Sequence, residues 1–575
     1  MDSQGSQPTL LDRLRVLYGD RAAEIEPRLV ALIDEYRSSE QSNSEPWSER
    51  DVVLITYADL LRSADATPLS TLREWLTDSG LDRLLSVVHL LPFCPYSSDD
   101  GFSVIDYLEV DPRAGTWDDI AELGKVVDLM FDLVLNHISQ HSEWFQKYLA
   151  GEEPYDRFFV EVDPSLDLSQ VVRPRSLPLL TEFQTSRGPR WVWTTFSDDQ
   201  IDLNYAEPEV LLRMLRILLE YAKRGARIVR LDAIAFLWKV IGANCLHLPE
   251  THEAVKLMRD VTTAAFPEML VLTETNVPHK ENVSYFGDGD EAHMVYQFSL
   301  PPLLLDALVN GDAVYLRRWL ETLDPPPAGC TFFNFTASHD GVGVRPLEGL
   351  VPDERFDSVV EAVRARGGLI NTRRRPDGTD SPYELNITYV DATSPTERGE
   401  SPNVELHAQR FLATQAVMLA LPGMPAVYFH SLVGSQNDYA GVEASGINRR
   451  INRHKYELGE LQAHLSDADS LAARIHAGYR QLLSVRTNHP AFHPDAPLRL
   501  LDAGSDAVLA FERVSIDGGE RVIVVANFGE ALELDLSSFV TDYDSLRPLL
   551  SDTDIPIPAG PVALPGGSCT WLLAE

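Results

Sequence analysis

The stretch GARIVRLDAIAFLWK, residues 225–239, joins a short β-like run to an apolar helical turn and carries two charges where they meet. Arg230 and Asp232 stand two positions apart, and alternate residues of a strand point to the same face. Both side chains are therefore predicted to lie side by side at the end of a strand. A buried ion pair would explain them equally well, so other features of the chain must separate a structural role from a catalytic one.

The composition indicates a large globular protein with an acidic surface. A chain of 575 residues is too long for one compact core, so two or more domains are expected. Hydrophobic residues make up 44% and charged residues 24%, which is ordinary for a globular enzyme. The formal net charge of −38 repels nucleic-acid phosphates and anionic lipid. We therefore expect no nucleic-acid and no membrane partner.

The four cysteines and the N-terminus suggest a cytoplasmic protein. Cys94, Cys245, Cys330 and Cys569 are far apart in the sequence, and no C-x-x-C pair indicates a zinc site or a disulfide framework. The first residues, MDSQGSQPTLLDRL, lack the basic start and apolar run of a signal peptide. We expect reduced thiols, a cytoplasmic location and a monomer or homodimer.

Eight short apolar runs dominate the middle of the chain. Most of them lack polar alternation, which is typical of parallel strands buried on both faces. Helix-like segments lie between many of them, and this βα alternation predicts an α/β fold, a (β/α)₈ TIM barrel. The candidate strands are 52–57, 85–93, 126–135, 227–232, 269–274, 294–298, 330–336 and 425–430.

The spacing of these runs also predicts the domain organisation. Residues 1–49 form an N-terminal helical segment, and residues 50–490 form the catalytic barrel. Long connections at about 138–205 and about 345–405 predict small inserted domains after strands three and seven, where insertions commonly shape an active site. Residues 491–575 alternate short strands with Gly and Asp turns, which predicts a C-terminal all-β domain.

Charged and polar residues mark four of the predicted strand ends. In a TIM barrel the carboxyl ends of the strands form the active-site face. A ring of ion pairs that stabilises the barrel mouth is the structural alternative, but four such ends in one chain favour catalysis. The residues are Asn136 and His137 after strand three, Arg230 and Asp232 after strand four, Glu274 after strand five, and His339 and Asp340 after strand seven.

These strand ends resemble the α-amylase superfamily of retaining α-glucosidases and transglucosylases. The matching stretches, in the family order, are DLVLNH (132–137), RIVRLDAI (227–234), LTETN (272–276) and TASHD (336–340). The resemblance implies Asp232 as the nucleophile and Glu274 as the general acid/base. It also implies that Asp340 grips sugar hydroxyls, and that the remaining three residues bind the glucose unit and orient the carboxylates: His137, Arg230 and His339.

Two acidic residues suit the cleavage of an acetal. Carboxyls roughly 5–5.5 Å apart permit a covalent glycosyl-enzyme and retained configuration. One carboxyl must be ionised while its neighbour holds a proton near neutral pH. We expect Arg230 to stabilise the charged form of Asp232, and the apolar residues before Glu274 to raise its pKa.

A second set of stretches resembles the sucrose phosphorylase subfamily, in which inorganic phosphate attacks the glucosyl-enzyme and releases α-D-glucose 1-phosphate. They are LLPFCPYSSDDGFSVIDY (90–107), WVWTTFSDDQIDLNY (191–205), LPPLLLDAL (300–308), SHDGVGVRPLEGLVPDE (338–354) and INRHKY (451–456). The resemblance implies glucose contacts from Asp99 and Arg453, with Gln200 nearby. Phe102 and Phe196 would form apolar walls, although plain core packing explains them as well.

The acceptor side departs from the sucrose enzymes. The stretch SPYELN has Glu384 where sucrose phosphorylases typically carry Gln. The stretch VVRPRSLPLL supplies Arg173 and Arg175, and Arg175 matches a phosphate-binding position of the subfamily. Arg373, Arg374 and Arg375 are interpreted as a solvated loop, with a ligand clamp as the alternative. The whole pattern resembles the glucosylglycerate, glucosylglycerol and sucrose 6′-phosphate phosphorylases more than sucrose phosphorylase itself.

The sequence therefore predicts a retaining α-glucoside phosphorylase. Its partners would be inorganic phosphate and a small-molecule α-glucoside, preferably 2-O-α-D-glucosylglycerol or glucosylglycerate. Sucrose or sucrose 6′-phosphate phosphorolysis, simple α-glucoside hydrolysis and a non-catalytic sugar-binding role are the alternatives. No nucleotide-binding or P-loop motif is present, and we expect no cofactor and no metal.

Overall fold

Eight parallel strands close into a barrel in the computed structural model, which describes residues 8–38, 45–174, 177–374, 379–401, 403–539, 545–551, 557–558 and 561–575. All eight predicted strands are confirmed, and each pairs with its neighbours in chain order. They are β1 (Val53–Thr56), β2 (Val87–Leu90), β3 (Asp128–Val134), β4 (Ala226–Asp232), β5 (Leu270–Thr273), β6 (Met294–Tyr296), β7 (Thr331–Asn334) and β8 (Met424–Tyr428).

The register of β3, β4 and β5 determines which polar side chains meet. Arg230 of β4 pairs with Asp132 of β3 on one side and with Leu272 of β5 on the other. Asp232 pairs with Val134, and Glu274 follows the last residue of β5. The charged ends of the three strands therefore lie next to one another at the carboxyl-terminal face.

Helices surround the barrel and begin at recognisable signals. The side chain of Thr67 caps the helix Pro68–Ser79, and three further helices carry proline in their first turn, where it is tolerated. The helices are Leu10–Tyr18, Ala22–Tyr36, Pro68–Ser79, Trp117–Leu123, Glu143–Ala150, Pro208–Lys223, Pro249–Ala265, His279–Val283, Leu300–Asn310, Val314–Glu321, Asp353–Ala365, Tyr389–Ala392, Val404–Ala420, Phe429–Leu432, Tyr439–Ser445, Leu458–Ser466 and Leu471–Arg486.

The small inserted domain predicted after β3 is present. Its strands form two antiparallel pairs, His137–Ser139 with Gln200–Asp202 and Leu180–Thr185 with Gly188–Trp193. A small apolar cluster that includes the buried Trp193 supports it. Arg175, the predicted phosphate ligand, lies outside the described residues.

The insertion after β7 is also present. It contains the helix Asp353–Ala365 and a three-stranded antiparallel sheet of Val342–Gly343, Leu369–Arg374 and Asp380–Asn386. Arg375 lies outside the described residues, and only the backbone of Arg374 is described. The sheet brings Arg373 and Glu384 toward the carboxyl-terminal face of the barrel.

A six-stranded sheet near the C-terminus packs one face against the helix Val404–Ala420. A separate apolar cluster covers its other face and includes residues of the pair Leu532–Asp535 and Pro561–Leu564. The other C-terminal strands are Leu498–Leu501, Val508–Val514, Arg521–Asn527, Ser545–Pro548, Ile557–Pro558 and Ser568–Ala574. The domain limits at residues 49 and 490 stay a prediction.

Two features bear on location and partners. All four cysteines are free thiols, and three of them are buried. In the part of the chain that the structure describes, each helix is too short or too polar to cross a lipid bilayer.

Trp571 offers a test of how the C-terminal sheet is held. Its ring is completely buried and lies 4.6 Å from that of Phe492. Trp571→Ala should lower the free energy of unfolding by about 3–5 kcal/mol because it leaves a large cavity. Denaturant titration provides the measurement, with Ile516→Ala as the control because Ile516 is 64% exposed. Equal stability of the two variants would contradict this packing.

Candidate active site

One cavity opens at the carboxyl-terminal face of the barrel and gathers most of the predicted site residues. Arg230 and Arg453 lie buried behind its wall and do not line it. The predicted residues that do line the cavity are Asp99, Phe102, His137, Phe196, Gln200, Asp232, Glu274, His339, Asp340 and Glu384.

Arg230 is the centre of the charge arrangement. Its Nη1 contacts the Asp132 carboxylate and lies 2.7 Å from Asp232 Oδ1, while its Nη2 lies 3.8 Å from Glu274 Oε2. Asp132 is held from behind by His89, whose Nε2 is 2.7 Å from Oδ2. One buried guanidinium thus offsets three carboxylates, which would repel one another strongly without it.

Glu274 is fixed relative to Asp232 by the backbone. The N–H of Ala233, the residue after Asp232, donates a hydrogen bond of 3.0 Å to Glu274 Oε2. Ala233 has a φ of 50°, a left-handed conformation in which a side chain is strained. The chain therefore turns sharply out of β4 immediately after Asp232, and both carboxyls face the same cavity.

Burial adds to the expected effect of Arg230 on the pKa values of this pair. Burial raises the pKa of Asp232, the attraction of Arg230 lowers it, and repulsion by Glu274 raises it again, so the net change is upward. Burial likewise raises the pKa of Glu274. Arg230 lowers the pKa of Asp232, as expected, but burial and the repulsion by Glu274 together outweigh it. Arg230 is 2.7 Å from Asp232 and 3.8 Å from Glu274, which favours the charge on Asp232 and the proton on Glu274.

Asp340 is held in the ionised form. Burial would raise the pKa of its carboxyl, but the charges of Arg449 and Arg453 outweigh that effect and lower it. Arg449 Nη1 lies 2.7 Å from Asp340 Oδ1, and Arg453 Nη2 lies 3.8 Å away. The cavity therefore presents a permanently charged acceptor for hydroxyl groups.

The predicted aromatic residues line the cavity and also support it. Phe102 stacks on His339 at 4.5 Å between centroids, with the rings 6° from parallel. Burial lowers the pKa of His339 to about 3, so its imidazole is neutral at physiological pH. Phe196 lies 5.2 Å from His137 and 5.5 Å from Phe236. Phe102 and Phe196 therefore line the cavity and also pack against neighbouring rings.

His137 and Gln200 are anchored to one backbone carbonyl. His137 Nε2 donates to the carbonyl oxygen of Phe102 at 2.8 Å, and Gln200 Nε2 donates to the same oxygen at 3.0 Å. Both side chains therefore hold the loop that carries Phe102. Their contacts with a sugar stay predictions.

Asp100, which the sequence analysis did not single out, is the closer partner of Arg453. The Nη1 of Arg453 is 2.9 Å from Asp100 Oδ2 but 3.7 Å from Asp99 Oδ1. Arg450 also contacts Asp100, at 2.6 Å. Asp99 lines the cavity, and both aspartates have φ near 50°, which forces a tight turn at this wall.

Glu384 reaches the cavity, but its oxygens are engaged by the protein. Arg449 Nη2 lies 2.9 Å from Oε1, and Asn371 Nδ2 donates to Oε2 at 3.0 Å. The N–H of Gly341 donates to Oε1 at 3.1 Å, and a Cβ at Gly341 would lie 2.6 Å from the carbonyl oxygen of Leu385. Glu384 therefore orients Arg449, which in turn contacts Asp340.

Several arginines lining the cavity were missed or misinterpreted. Arg373 lies on a strand and faces the cavity, so its assignment to a solvated loop was wrong. Arg173, which the stretch VVRPRSLPLL supplies, lines the cavity, and so do Arg345 and Arg449, which the sequence analysis missed. The run of arginines at 373–375 was the available signal. Arg345 and Arg449 gave none, because their position depends on how distant segments fold over the barrel.

Comparison with known proteins agrees with this architecture. Residues 84–314 match the family model for the catalytic domain of α-amylase. The chain is 45% identical to the glucosylglycerate phosphorylase of Spirochaeta thermophila over 98% of both chains. It is 48% identical to that of Escherichia coli over 88% of this chain and 91% of the other. The crystal structure of a sucrose 6F-phosphate phosphorylase from Thermoanaerobacter thermosaccharolyticum superposes with a TM-score of 0.72 at 27% identity, covering 83% of this chain and 94% of that one.

A barrel with this order of strand-end carboxylates defines an enzyme of the α-amylase class, and the chain belongs to the α-amylase family. Within that family it belongs to the sucrose phosphorylase subfamily, as its motifs had indicated.

Replacing Arg230 tests the electrostatics of the pair. Arg230→Gln should raise the pKa of the Asp232–Glu274 pair, because a positive charge that favours ionised carboxyls is lost. Infrared difference spectra of isotope-labelled carboxyls should show the protonated form persisting to higher pH. Arg227→Gln, near the opposite end of β4, should leave the pair unchanged. A fall in the pKa of the pair would contradict the arrangement.

Proposed function

We propose that this protein is a retaining glucosylglycerate phosphorylase. It would use inorganic phosphate to cleave 2-O-α-D-glucosylglycerate, with release of α-D-glucose 1-phosphate and glycerate. The observation that carries the proposal is the placement of Asp232 and Glu274 on one buried arginine in one cavity. Relatives named glucosylglycerate phosphorylase, 45–49% identical over 86–98% of the chain, support glycerate as the acceptor. The named glucosylglycerol phosphorylase is 30% identical over 72%.

The first half of the reaction forms a glucosyl-enzyme. An Asp232 oxygen attacks C1 of the glucose unit while the bond from C1 to the glycerate oxygen breaks. Glu274 gives its proton to that oxygen, so glycerate leaves as a hydroxy acid anion. Arg230 stabilises the ionised Asp232 before the attack and remains bound to it as the covalent bond forms.

The second half uses the same groups in reverse. A phosphate oxygen attacks C1 from the side that glycerate has left, the bond from C1 to Asp232 breaks, and Glu274 takes up the proton that the hydrogen phosphate gives up. Two inversions restore the α configuration. Asp340, kept ionised by Arg449 and Arg453, accepts sugar hydroxyls in both steps.

An α-glucoside hydrolase with the same carboxylates is the alternative mechanism. Water would then take the place of phosphate on the glucosyl-enzyme. The arginines that line the acceptor side of the cavity favour an anionic nucleophile over a neutral one.

We also propose a cytoplasmic location, in keeping with the four free thiols. Whether the enzyme is a monomer or a homodimer stays a prediction.

A substrate panel tests the reaction. Glucosylglycerate, glucosylglycerol, sucrose and sucrose 6′-phosphate are each incubated with and without phosphate, and glucose 1-phosphate and free glucose are measured. We expect phosphate-dependent glucose 1-phosphate, with the highest kcat/KM for glucosylglycerate. Free glucose as the sole product, at a rate independent of phosphate, would reject the phosphorylase.

Replacing the nucleophile tests the assignment of Asp232. Asp232→Asn should reduce kcat by about a thousandfold or more, because no covalent intermediate can form. Asp128→Asn is the control, since this aspartate begins β3 at the opposite end of the barrel and is half exposed. Undiminished turnover by Asp232→Asn would refute the assignment.

The role of Glu274 has a separate test. Because burial raises its pKa, the acid form is present below that raised pKa and phosphorolysis should decline as the pH rises through it. Glu274→Gln should abolish this basic limb and lower kcat for glucosylglycerate by about a hundredfold or more. Formation of the glucosyl-enzyme from α-D-glucosyl fluoride should be far less affected, because fluoride leaves without a proton. Equal losses on both substrates would contradict the role.

A further inference from the structure

We propose that Arg345 and Arg373 form the subsite that binds the carboxylate of the glycerate acceptor. The inference rests on the proposed function, since it concerns the acceptor in that reaction. Both arginines come from the segment that follows β7, and both line the cavity that contains Asp232 and Glu274.

Arg345 is a nearly buried cation that lacks the partners such a group normally has. Its side chain is only 16% exposed, and within the described residues its one ion pair is marginal, with Nη2 at 4.0 Å from Glu281 Oε2. Its Nε is buried and has no hydrogen-bond partner among the described residues. Buried donors are almost always satisfied, and an unpaired one is costly. A ligand anion in the cavity would supply the missing acceptor.

A protein carboxylate pairs with one end of the Arg373 guanidinium. Its Nη2 donates to Glu348 Oε1 at 2.5 Å, and its side chain is 21% exposed. Its Nε is buried and unpaired within the described part of the chain. Glu348 therefore fixes the direction of the guanidinium without satisfying all of its donors.

Arg449 and Arg453, which lie close to Asp340, differ in this respect. Arg449 is paired with Asp340 and Glu384, and Arg453 with Asp100, so protein carboxylates offset both charges. Arg345 and Arg373 are less completely paired. In a chain with a net charge of −38, such cations facing a cavity indicate an anionic ligand.

The chemistry of a carboxylate fits this pair. A guanidinium offers parallel N–H donors that match the two oxygens of a carboxylate, and glycerate carries one close to the oxygen linked to glucose. A neutral acceptor such as glycerol could accept a hydrogen bond through a hydroxyl but would offset the charge of neither arginine. Phosphate approaches the same side of the glucose unit in the second half-reaction, so the experiment must separate the two anions.

The test uses Arg345→Gln and Arg373→Gln, with Arg364→Gln as the matched control. Arg364 belongs to the same insertion, but its side chain is 50% exposed and pairs with Glu361. Three quantities are measured in the full-length enzyme: KM for glycerate in synthesis from glucose 1-phosphate, KM for phosphate in phosphorolysis, and the calorimetric Kd for glycerate. Thermal unfolding verifies that each variant folds, and Arg345→Lys and Arg373→Lys retain the charge without the paired donors.

We expect each Gln variant to raise KM and Kd for glycerate about tenfold or more, the loss of one charge-assisted hydrogen bond. KM for phosphate should change much less, and the Lys variants should recover part of the affinity. Unchanged glycerate affinity would overturn the proposal, and so would an equal rise in KM for phosphate, which would assign the arginines to phosphate. If the wild-type enzyme fails to cleave glucosylglycerate, the proposed function fails, while the calorimetric Kd still tests the subsite.

Discussion

A single buried guanidinium is the constraint on which this site depends. Asp132, Asp232 and Glu274 end up side by side because β3, β4 and β5 are neighbours in the barrel. Three carboxylates cannot be buried together without a cation, and Arg230 is the group that meets all of them. Burial in this arrangement raises the pKa of both Asp232 and Glu274, which favours the retained proton that acetal cleavage requires.

The two insertions and the segment after β8 add further residues to the cavity at the carboxyl-terminal face of the barrel. They deliver a second set of alternating charges, in which Glu384 orients Arg449 and Arg449 holds Asp340 in the ionised form. Under the proposed function, Asp340 and Arg449 would face the glucose unit, where protein groups pair both charges. Arg345 and Arg373, which are less completely paired, would face the anions that bind in turn.

The sequence predicted the parts of the molecule whose positions follow from local rules. Eight apolar runs identified the strands, and strand ends placed Asp232 and Glu274 in one cavity, because parallel strands share an edge. It did not predict Arg345 or Arg449, since their location is set by contacts between segments far apart in the chain. It also did not predict that burial raises the pKa of Asp232, because the extent of burial is unknown before the cavity is seen.

The net negative charge of the chain affects the rate at which anions reach the arginine-lined cavity. Phosphate, glycerate and glucose 1-phosphate are all anions, and the field of a protein with a net charge of −38 opposes their approach. Dissolved salt screens that field beyond about 10 Å at 0.1 M, so encounter with each anion quickens as ionic strength rises. Once a product leaves the arginines, the same field drives it outward.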